Sequence, residues 1–152
     1  MPTINAKIII NRSGAKVFEF ITDPKEVGKI MPGVIRVSDT SHFFGHRGEK
    51  FRWEFLLLGM AYRGTWTVEE SQDPLIYVSK TTGGIASRWT YSLVPLAPQR
   101  TRLILDVEYQ PPHSVIRRYA LSFVEPHMHR MADNYVSNLK SLLEFQGSRA
   151  KV

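Results

Sequence analysis

Cysteine is absent from all 152 residues of this sequence, which excludes disulfide bonds, thiol nucleophiles and every cysteine-based metal site. No apolar run approaches the roughly 18 residues that a membrane-spanning helix needs, and the longest, around Phe55–Leu58, suits a strand. The first residues also lack the basic and then apolar pattern of a secretion signal. These absences make a cytoplasmic location the expectation.

Runs of one charge are scarce as well, although the formal net charge is +6. Lysine and arginine are spread along the chain, and Arg117-Arg118 is the one adjacent pair. A nucleic-acid surface usually gathers basic residues on one face or alternates them with stacking aromatic residues. The scattered pattern therefore disfavours nucleic acid as a partner. The net positive charge still allows weak contact with anionic membranes.

Signatures of the common enzyme classes are missing too. The sequence has no G-x-S-x-G nucleophile elbow, no phosphate-binding glycine loop and no dinucleotide-binding fingerprint. Its Gly83-Gly84 pair is typical of a two-residue hairpin turn, because both positions can take a positive φ angle. We therefore expect no nucleotide cofactor.

The five histidines do not form a pattern that predicts a metal site. His127 and His129 are two residues apart, so on a helix they point to different sides. His42 and His46 lie in a turn-like stretch whose nearby carboxylate is Asp39. Zinc sites normally need three or four converging ligands. We expect solvated surface histidines and neither a metal nor another cofactor.

The N-terminal part of the chain predicts one strand followed by two short helices. Residues Thr3–Asn11 alternate between apolar and polar, as a half-buried strand does. Ser13 is placed to cap a first helix, and Asp23 to cap a second one with Pro24 at its first position. Pro32-Gly33 then ends the second helix.

A series of six further strands follows, separated by turn residues. We predict them at Val34–Asp39, Glu49–Leu58, Ala61–Glu70, Leu75–Thr82, Ile85–Val94 and Arg102–Tyr109, with a loop containing Pro95 and Pro98 between the last two. Short connections imply antiparallel hairpins. The alternation of side chains predicts one covered apolar face and one charged face in water.

An amphipathic helical stretch, Ser114–Phe145, follows the predicted strands. Its apolar residues recur at steps of three and four, the period of one helix face, at Met128, Met131, Tyr135, Leu139, Leu142 and Leu143. Pro126 removes a backbone donor and predicts either a kink or a new helix after Ser122. Residues Val115–Val124 would then form a separate segment at a cavity mouth, unless the kink only lets the helix follow a curved sheet.

This order of elements resembles the START-like, or helix-grip (SRPBCC), superfamily, including its polyketide cyclase/dehydrase-like and coenzyme Q-binding branches. The local matches are Phe20-Ile21-Thr22-Asp23-Pro24, Met31-Pro32-Gly33-Val34, Thr101-Arg102-Leu103 and Leu139-Lys140-Ser141-Leu142-Leu143-Glu144. The resemblance covers nearly the whole chain and implies a single α+β domain over residues 1–152. Its expected architecture is β-α-α-β6-α, a curved antiparallel sheet of about seven strands wrapped around a long C-terminal helix, with an apolar ligand cavity between them.

Aromatic residues on the covered face and methionines on the helix are the candidate ligand contacts. Such side chains also fill ordinary cores, but three tryptophans and several tyrosines are hard to pack solidly against one helix. Inward tyrosine hydroxyls would suit a ligand oxygen. The candidate binding residues are Phe51, Trp53, Phe55, Tyr62, Trp66, Trp89, Tyr91, Leu105, Tyr109, Tyr119, Phe123, Met128, Met131 and Tyr135.

The function implied by the resemblance is binding or transport of a hydrophobic or amphipathic small molecule, such as a lipid, a quinone or a polyketide-like compound. The strand phase places Glu54, Glu69, Asp106 and Glu108 in solvent, which favours a binding protein over an enzyme, although a β-bulge could reverse the phase locally. One alternative is a polyketide cyclase or dehydratase acting in the same cavity without metal or nucleotide. A second is a protein-interaction module of the Hsp90-activator-like type.

Overall fold

A computed structural model describes residues 2–38 and 46–150, without the side chains of residues 149 and 150. Within these ranges the strands are β1 (Thr3–Ile10), β2 (Val34–Ser38), β3 (Lys50–Leu57), β4 (Met60–Gln72), β5 (Ile76–Gly83), β6 (Ala86–Ala97) and β7 (Arg100–Gln110). The helices are α1 (Gly14–Ile21), α2 (Pro24–Ile30), α3 (His113–Arg118) and α4 (Leu121–Ala150). Asp39, the last residue of the predicted strand, and His42, in the predicted turn after it, lie outside the described residues.

All the strands join one antiparallel sheet in the order β1-β7-β6-β5-β4-β3-β2. Strands β2 to β7 follow one another as hairpins, and β1 pairs with β7 at the opposite edge from β2. The sheet curls into a half-barrel, and the long helix α4 closes its concave side. The predicted α+β helix-grip architecture is therefore confirmed.

The two helices after β1 begin where capping residues predict. The Ser13 hydroxyl accepts a hydrogen bond from the Lys16 backbone N–H at 3.3 Å. The Asp23 carboxylate accepts from the backbone N–H groups of Lys25 and Glu26, at 3.1 and 3.4 Å. Gly33 follows α2 with a φ angle of +90°, a conformation that only glycine adopts without strain.

The predicted strand phase is also confirmed. Phe51, Trp53 and Leu57 of β3 are buried while Lys50 and Arg52 between them are exposed. On β7 the same alternation buries four apolar residues, Leu103, Leu105, Val107 and Tyr109. The concave face of the sheet is therefore apolar along its length, and the charged residues cover the convex face.

The predicted loop between the last two strands is wrong. Strand β6 continues through Pro95 to Ala97, and Pro95 pairs with Thr101 of β7. A register shift between Pro95 and Ala97 accommodates the residue, since proline has no N–H to give to the ladder. Of the two prolines, Pro98 is the one that lies in the connecting turn.

The predicted separate segment Val115–Val124 is wrong as well. The helical stretch breaks at Tyr119, whose backbone is extended (φ −132°, ψ 140°), and α4 has already begun when the chain reaches Ser122. Pro126 lies inside α4. Its missing N–H leaves the Ser122 carbonyl without its intrahelical partner, but Ser122 is exposed and water can satisfy it.

The C-terminal half of α4 is fixed to β1 by polar contacts at the edge of the core. The Lys140 ammonium donates to the Ile9 carbonyl and to the Glu144 carboxylate, both at 2.7 Å. Arg12 donates to the Leu143 carbonyl at 2.7 Å. Across the part of the chain that is described, no helix combines the length and the apolar character that crossing a membrane requires.

Candidate functional site: a cavity beneath the long helix

Two adjacent voids lie between the concave face of the sheet and α4. The larger encloses about 60 Å³ and the smaller about 40 Å³. They share part of their lining, namely Met31, Phe55, Trp89, Val107 and Met128. We call the two voids together the cavity. Because the shared walls include two flexible methionines, small side-chain movements would join the voids.

The sequence-predicted binding residues divide into two groups. Those that line the cavity are Trp53, Phe55, Trp66, Trp89, Tyr109, Met128, Met131 and Tyr135. Those that do not are Phe51, Tyr62, Tyr91, Leu105, Tyr119 and Phe123. The concave face is larger than the cavity, so correct strand phase alone does not separate wall residues from the solid core.

The residues away from the cavity have other contacts. Phe51 packs on Trp66 with ring centroids 5.0 Å apart, and Leu105 is fully buried in the core. Tyr119 stacks on Phe123, whose side chain is half exposed at the start of α4. Tyr62 of β4 instead hydrogen-bonds through its hydroxyl to Ser114 of α3.

Several wall residues were missed by sequence reasoning. They come from the turn after α2, from the β5–β6 hairpin and from single positions elsewhere: Ile4, Met31, Pro32, Val34, Thr81, Ile85, Ser87, Val107 and Ala132. Ser87 stands two residues before Trp89, and this alternation was the available indication that Ser87 faces inward. Small polar residues occur on both faces of a sheet, so residue type alone does not identify Thr81 and Ser87 as wall residues.

Seven residues of the lining are half-buried and mark where the cavity approaches the surface. Five of them belong to the α2–β2 turn, to the edge strand β2 with its neighbour β3, and to α4, namely Pro32, Val34, Phe55, Met128 and Met131. The other two, Ser87 and Trp89, belong to β6. The larger group favours entry of a ligand between the β2 edge of the sheet and α4.

A short hydrogen-bonded chain occupies the polar corner of the cavity. Thr81 donates from its hydroxyl to the Ile85 carbonyl at 2.8 Å, so the hydrogen bond between Thr81 and Ser87 takes its proton from Ser87. Ser87 in turn accepts from the indole N–H of Trp89 at 2.9 Å. Every hydroxyl and indole proton in this chain has an acceptor within the protein.

Two further indole groups in the wall differ from Trp89. Trp53 and Trp66 are 5% and 6% exposed, and among the described residues neither Nε1–H has a hydrogen-bond acceptor. Gly64, opposite Trp53 in the β3–β4 ladder, leaves room for the Trp53 ring because it has no side chain. A Cβ at Gly64 would come within 2.5 Å of the Trp53 ring.

A buried pair of phenols stands at the far end of the smaller void. The hydroxyls of Tyr91 and Tyr135 are 2.8 Å apart, and both side chains are buried. Burial raises the pKa of both phenols well above their ordinary value. Burial, with the Glu125 carboxylate as a second cause, also raises the pKa of Tyr109. These tyrosines are therefore neutral hydrogen-bonding groups and not bases.

No charged side chain lines the cavity in the described part of the chain. The one buried carboxylate among those residues is Glu49, just before β3, and it does not belong to either wall. In the same ranges no three His, Asp or Glu side chains converge as metal ligands would. The walls offer apolar contact and neutral hydrogen-bonding groups to a guest molecule.

Comparison with family models gives one match, described as polyketide cyclase / dehydrase and lipid transport, over residues 1–144. Comparison with curated proteins gives no significant match.

Solved structures with the same fold are numerous. A protein of Thermus thermophilus superposes with a TM-score of 0.80 at 16% identity, over 95% of this chain and 99% of that one. A START superfamily protein from Mycobacterium smegmatis gives 0.76 at 14% identity, over 95% and 98%. The ZhuI aromatase/cyclase from Streptomyces sp. R1128 gives 0.66 at 14% identity, over 98% and 95%. At these identities the likeness shows the fold.

Proposed function

The chain belongs to the polyketide cyclase / dehydrase and lipid transport family, and from that membership we propose that it binds a hydrophobic or amphipathic small molecule in the cavity beneath α4. A lipid, a quinone or a polyketide-like compound would fit this description. The observation that carries the proposal is the cavity between the concave face of the sheet and α4, whose larger void measures about 60 Å³ and has an almost wholly apolar wall.

Leaving such a void empty has a cost in stability. The lining atoms that face empty space lose van der Waals contacts that a close-packed core would give them. Apolar cavities of this kind stay dry and take up apolar guests, because water finds too few polar partners in them. A bound hydrophobic molecule would recover the lost contacts, which is the physical reason to assign the cavity to a ligand.

Three flexible methionine side chains in the lining extend the range of guests. Met31, Met128 and Met131 are unbranched, and their thioethers adapt to irregular shapes with little strain. Movement of Met128 would join the two voids into a longer slot under α4. A chain-like or multi-ring ligand would then lie along the helix from the tryptophan side toward Tyr135.

The same walls argue against acid–base catalysis as the main activity. Proton transfer needs a carboxylate or imidazole near the substrate with a suitable pKa. The described lining supplies hydroxyls, phenols and indoles, and the raised pKa of the Tyr109 and Tyr135 phenols keeps them protonated at neutral pH, so neither can accept a proton. Binding and orientation of the guest are the chemistry that this set of groups performs well.

Native mass spectrometry of the purified protein tests the proposal. We expect a species heavier than the 17.4 kDa chain by the mass of one small molecule, and release of that molecule into organic solvent. Extraction followed by readdition of the same compound should restore the heavier species. A protein that is reproducibly ligand-free, and that takes up no lipid, quinone or polyketide-like compound when these are offered, would contradict it.

A further inference from the structure

We propose that only a hydrocarbon part of the ligand enters the cavity, and that the polar group of the ligand stays in water at the rim, between the β2 edge of the sheet and α4. The inference rests on the proposed function, because it names the class of ligand for the same cavity. That class is an amphiphile whose hydrogen-bonding groups lie at one end, such as an acyl or prenyl chain with a polar head. A polyketide-like chain, with carbonyl groups along its length, is disfavoured.

The starting observation is that almost all of the surface facing the two voids is carbon. This holds although several of the lining side chains carry an oxygen or a nitrogen. They are Trp53, Trp66, Thr81, Ser87, Trp89, Tyr109 and Tyr135. Their polar atoms are therefore turned away from the voids or covered by neighbouring groups, and a guest meets mainly their carbon atoms.

The polar groups on the β5–β6 side of the larger void are occupied within the protein. Thr81 donates to the Ile85 carbonyl at 2.8 Å, and Ser87 donates to the Thr81 hydroxyl. Ser87 also accepts from the Trp89 indole at 2.9 Å. A guest that bonded to one of these donors would first have to break an existing hydrogen bond, so it would gain little.

The other polar groups of the lining are equally withheld from a guest. The Tyr135 hydroxyl is bonded to that of Tyr91 at 2.8 Å. The Nε1 atoms of Trp53 and Trp66 are covered by protein atoms, so a guest in the void does not reach them. The Tyr109 hydroxyl is left, and the near absence of polar surface in both walls shows that a guest barely meets it.

These walls treat the two ends of an amphiphile differently. A methylene group that leaves water for the cavity gains contact with carbon and loses nothing. A carbonyl or hydroxyl group that follows it loses its hydrogen bonds to water and finds no replacement, and an ionised head loses still more. The favourable arrangement therefore buries the hydrocarbon and leaves the polar group outside.

The position of the rim allows this arrangement. Pro32 and Val34 on one side and Met128 and Met131 on the other are half-buried members of the lining. A chain that passes between these two sides lies against apolar side chains from its entry onward. Its head remains beyond them, where water can hydrate it.

The isomers 1-octanol and 4-octanol provide a matched pair of probes, since they contain the same atoms and differ in the position of the hydroxyl group. Methyl signals of protein labelled with ¹³C in its methionines report binding at Met31 and Met128. We expect 1-octanol to bind about tenfold more tightly, which corresponds to about 1.4 kcal/mol. The reason is that 4-octanol has to bury its hydroxyl group or leave half of its carbon atoms in water.

The Ser87→Ala variant tests the reason given for the preference. It removes the acceptor of the Trp89 indole at the cavity wall, so a guest hydroxyl can take that place, and the preference for 1-octanol should fall several-fold. Ser92→Ala is the matched control, because Ser92 lies on the same strand, belongs to neither wall and should keep the full preference. An unchanged preference in Ser87→Ala would contradict the account of the walls.

The location of the head is measured with octanoic acid labelled with ¹³C at its carboxyl carbon. A carboxyl group that stays in water should titrate in the bound state with a pKa within about 0.5 of that of the free acid, whereas burial would raise the pKa by roughly 1 or more. This measurement uses the unmodified protein, so it decides the question even if a variant does not fold.

Two kinds of result would overturn the inference. If the two octanols bind equally well, or if the pKa of bound octanoic acid is clearly raised, polar groups do enter the cavity, and the proposed function stands. If neither octanol binds, the inference is also wrong, because the cavity then refuses a hydrocarbon chain. Native mass spectrometry separates the two claims in that case, since the proposed function stands if a guest is found and fails if none is.

Discussion

A hydrogen bond between two tyrosines, Tyr91 and Tyr135, holds the long helix to the sheet. Tyr91 belongs to β6 and Tyr135 to α4, and their hydroxyls meet at 2.8 Å in a fully buried site. Their rings also meet edge to face, with centroids 6.4 Å apart. The hydrogen bond therefore links the two layers that enclose the cavity.

We expect the Tyr135→Phe variant to lose about 1–3 kcal/mol of unfolding free energy, because it leaves the Tyr91 hydroxyl buried without its partner. Tyr91→Phe should lose a similar amount of unfolding free energy, because it leaves the Tyr135 hydroxyl buried without its partner. The double variant should lose less than the sum of the two single losses, since it removes both hydroxyls together. Urea denaturation of the four proteins measures this, and strictly additive losses would show that the hydroxyls do not depend on each other.

At this scale, sequence reasoning predicted large aromatic wall residues and missed small ones. Trp53, Trp66 and Trp89 follow from strand alternation, because a tryptophan on the apolar face has to lie in the interior. Thr81 and Ser87 have no such preference, and only their hydrogen bonds to Ile85 and Trp89 make burial acceptable. Those bonds depend on the β5–β6 register, which alternation does not supply.

Among the elements, α4 depends on its contacts with β1 as well as on its apolar stripe. The Glu144 carboxylate accepts from Lys140 at 2.7 Å and from the Asn11 backbone N–H at 2.9 Å. The hydrogen bond from Lys140, followed by the one from Asn11, lowers the pKa of Glu144 below its ordinary value. The carboxylate is thus more acidic in the folded protein than in the unfolded chain.

A lowered folded-state pKa stabilises the fold above the unfolded-state pKa of about 4.3, and this contribution is lost as the pH falls through the folded-state value. Glu144→Gln should therefore cost up to about 1 kcal/mol at pH 7, and its difference from the unmodified protein should shrink below about pH 4. Thermal denaturation across this pH range measures both effects.

Glu19→Gln is the matched control, since the Lys16–Glu19 pair is longer, at 3.5 Å, and its side chains are 55% and 73% exposed. This variant should change stability little at any pH. Equal losses for the two variants at pH 7, or a Glu144→Gln loss that persists unchanged at pH 3, would contradict the role given to Glu144.

The order of elements was predictable, and the exceptions have physical causes. The helix caps at Ser13 and Asp23 are local hydrogen-bonding patterns, so the sequence alone identifies them. Pro95 and Pro126 were expected to interrupt their elements. A register shift near the strand end accommodates Pro95, and the exposure of Ser122 allows water to satisfy the carbonyl that Pro126 leaves without a donor. Both compensations depend on neighbours that a local pattern does not include.

At the scale of the whole molecule, the fold places an apolar cavity between the sheet and α4, and contacts away from the cavity hold these two layers together. Sheet pairing and the contacts at the C-terminal half of α4 hold the frame, and the unbranched side chains of Met31 and Met128 line the cavity. The architecture followed from the resemblance in element order. The size of the cavity did not, since it depends on how Met31, Phe55 and Trp89 pack against α4.

Fluorescence titration with 6-propionyl-2-(dimethylamino)naphthalene, a neutral ketone whose emission shifts to the blue in apolar surroundings, tests the ligand cavity most directly. Met128→Trp fills the space shared by both voids, and Asn134→Trp places the same side chain on the exposed face of α4. Thermal denaturation confirms that both variants are folded at the assay temperature. We predict blue-shifted binding to the unmodified protein and to Asn134→Trp, and at least tenfold weaker binding to Met128→Trp. Equal binding to all three proteins would contradict the account.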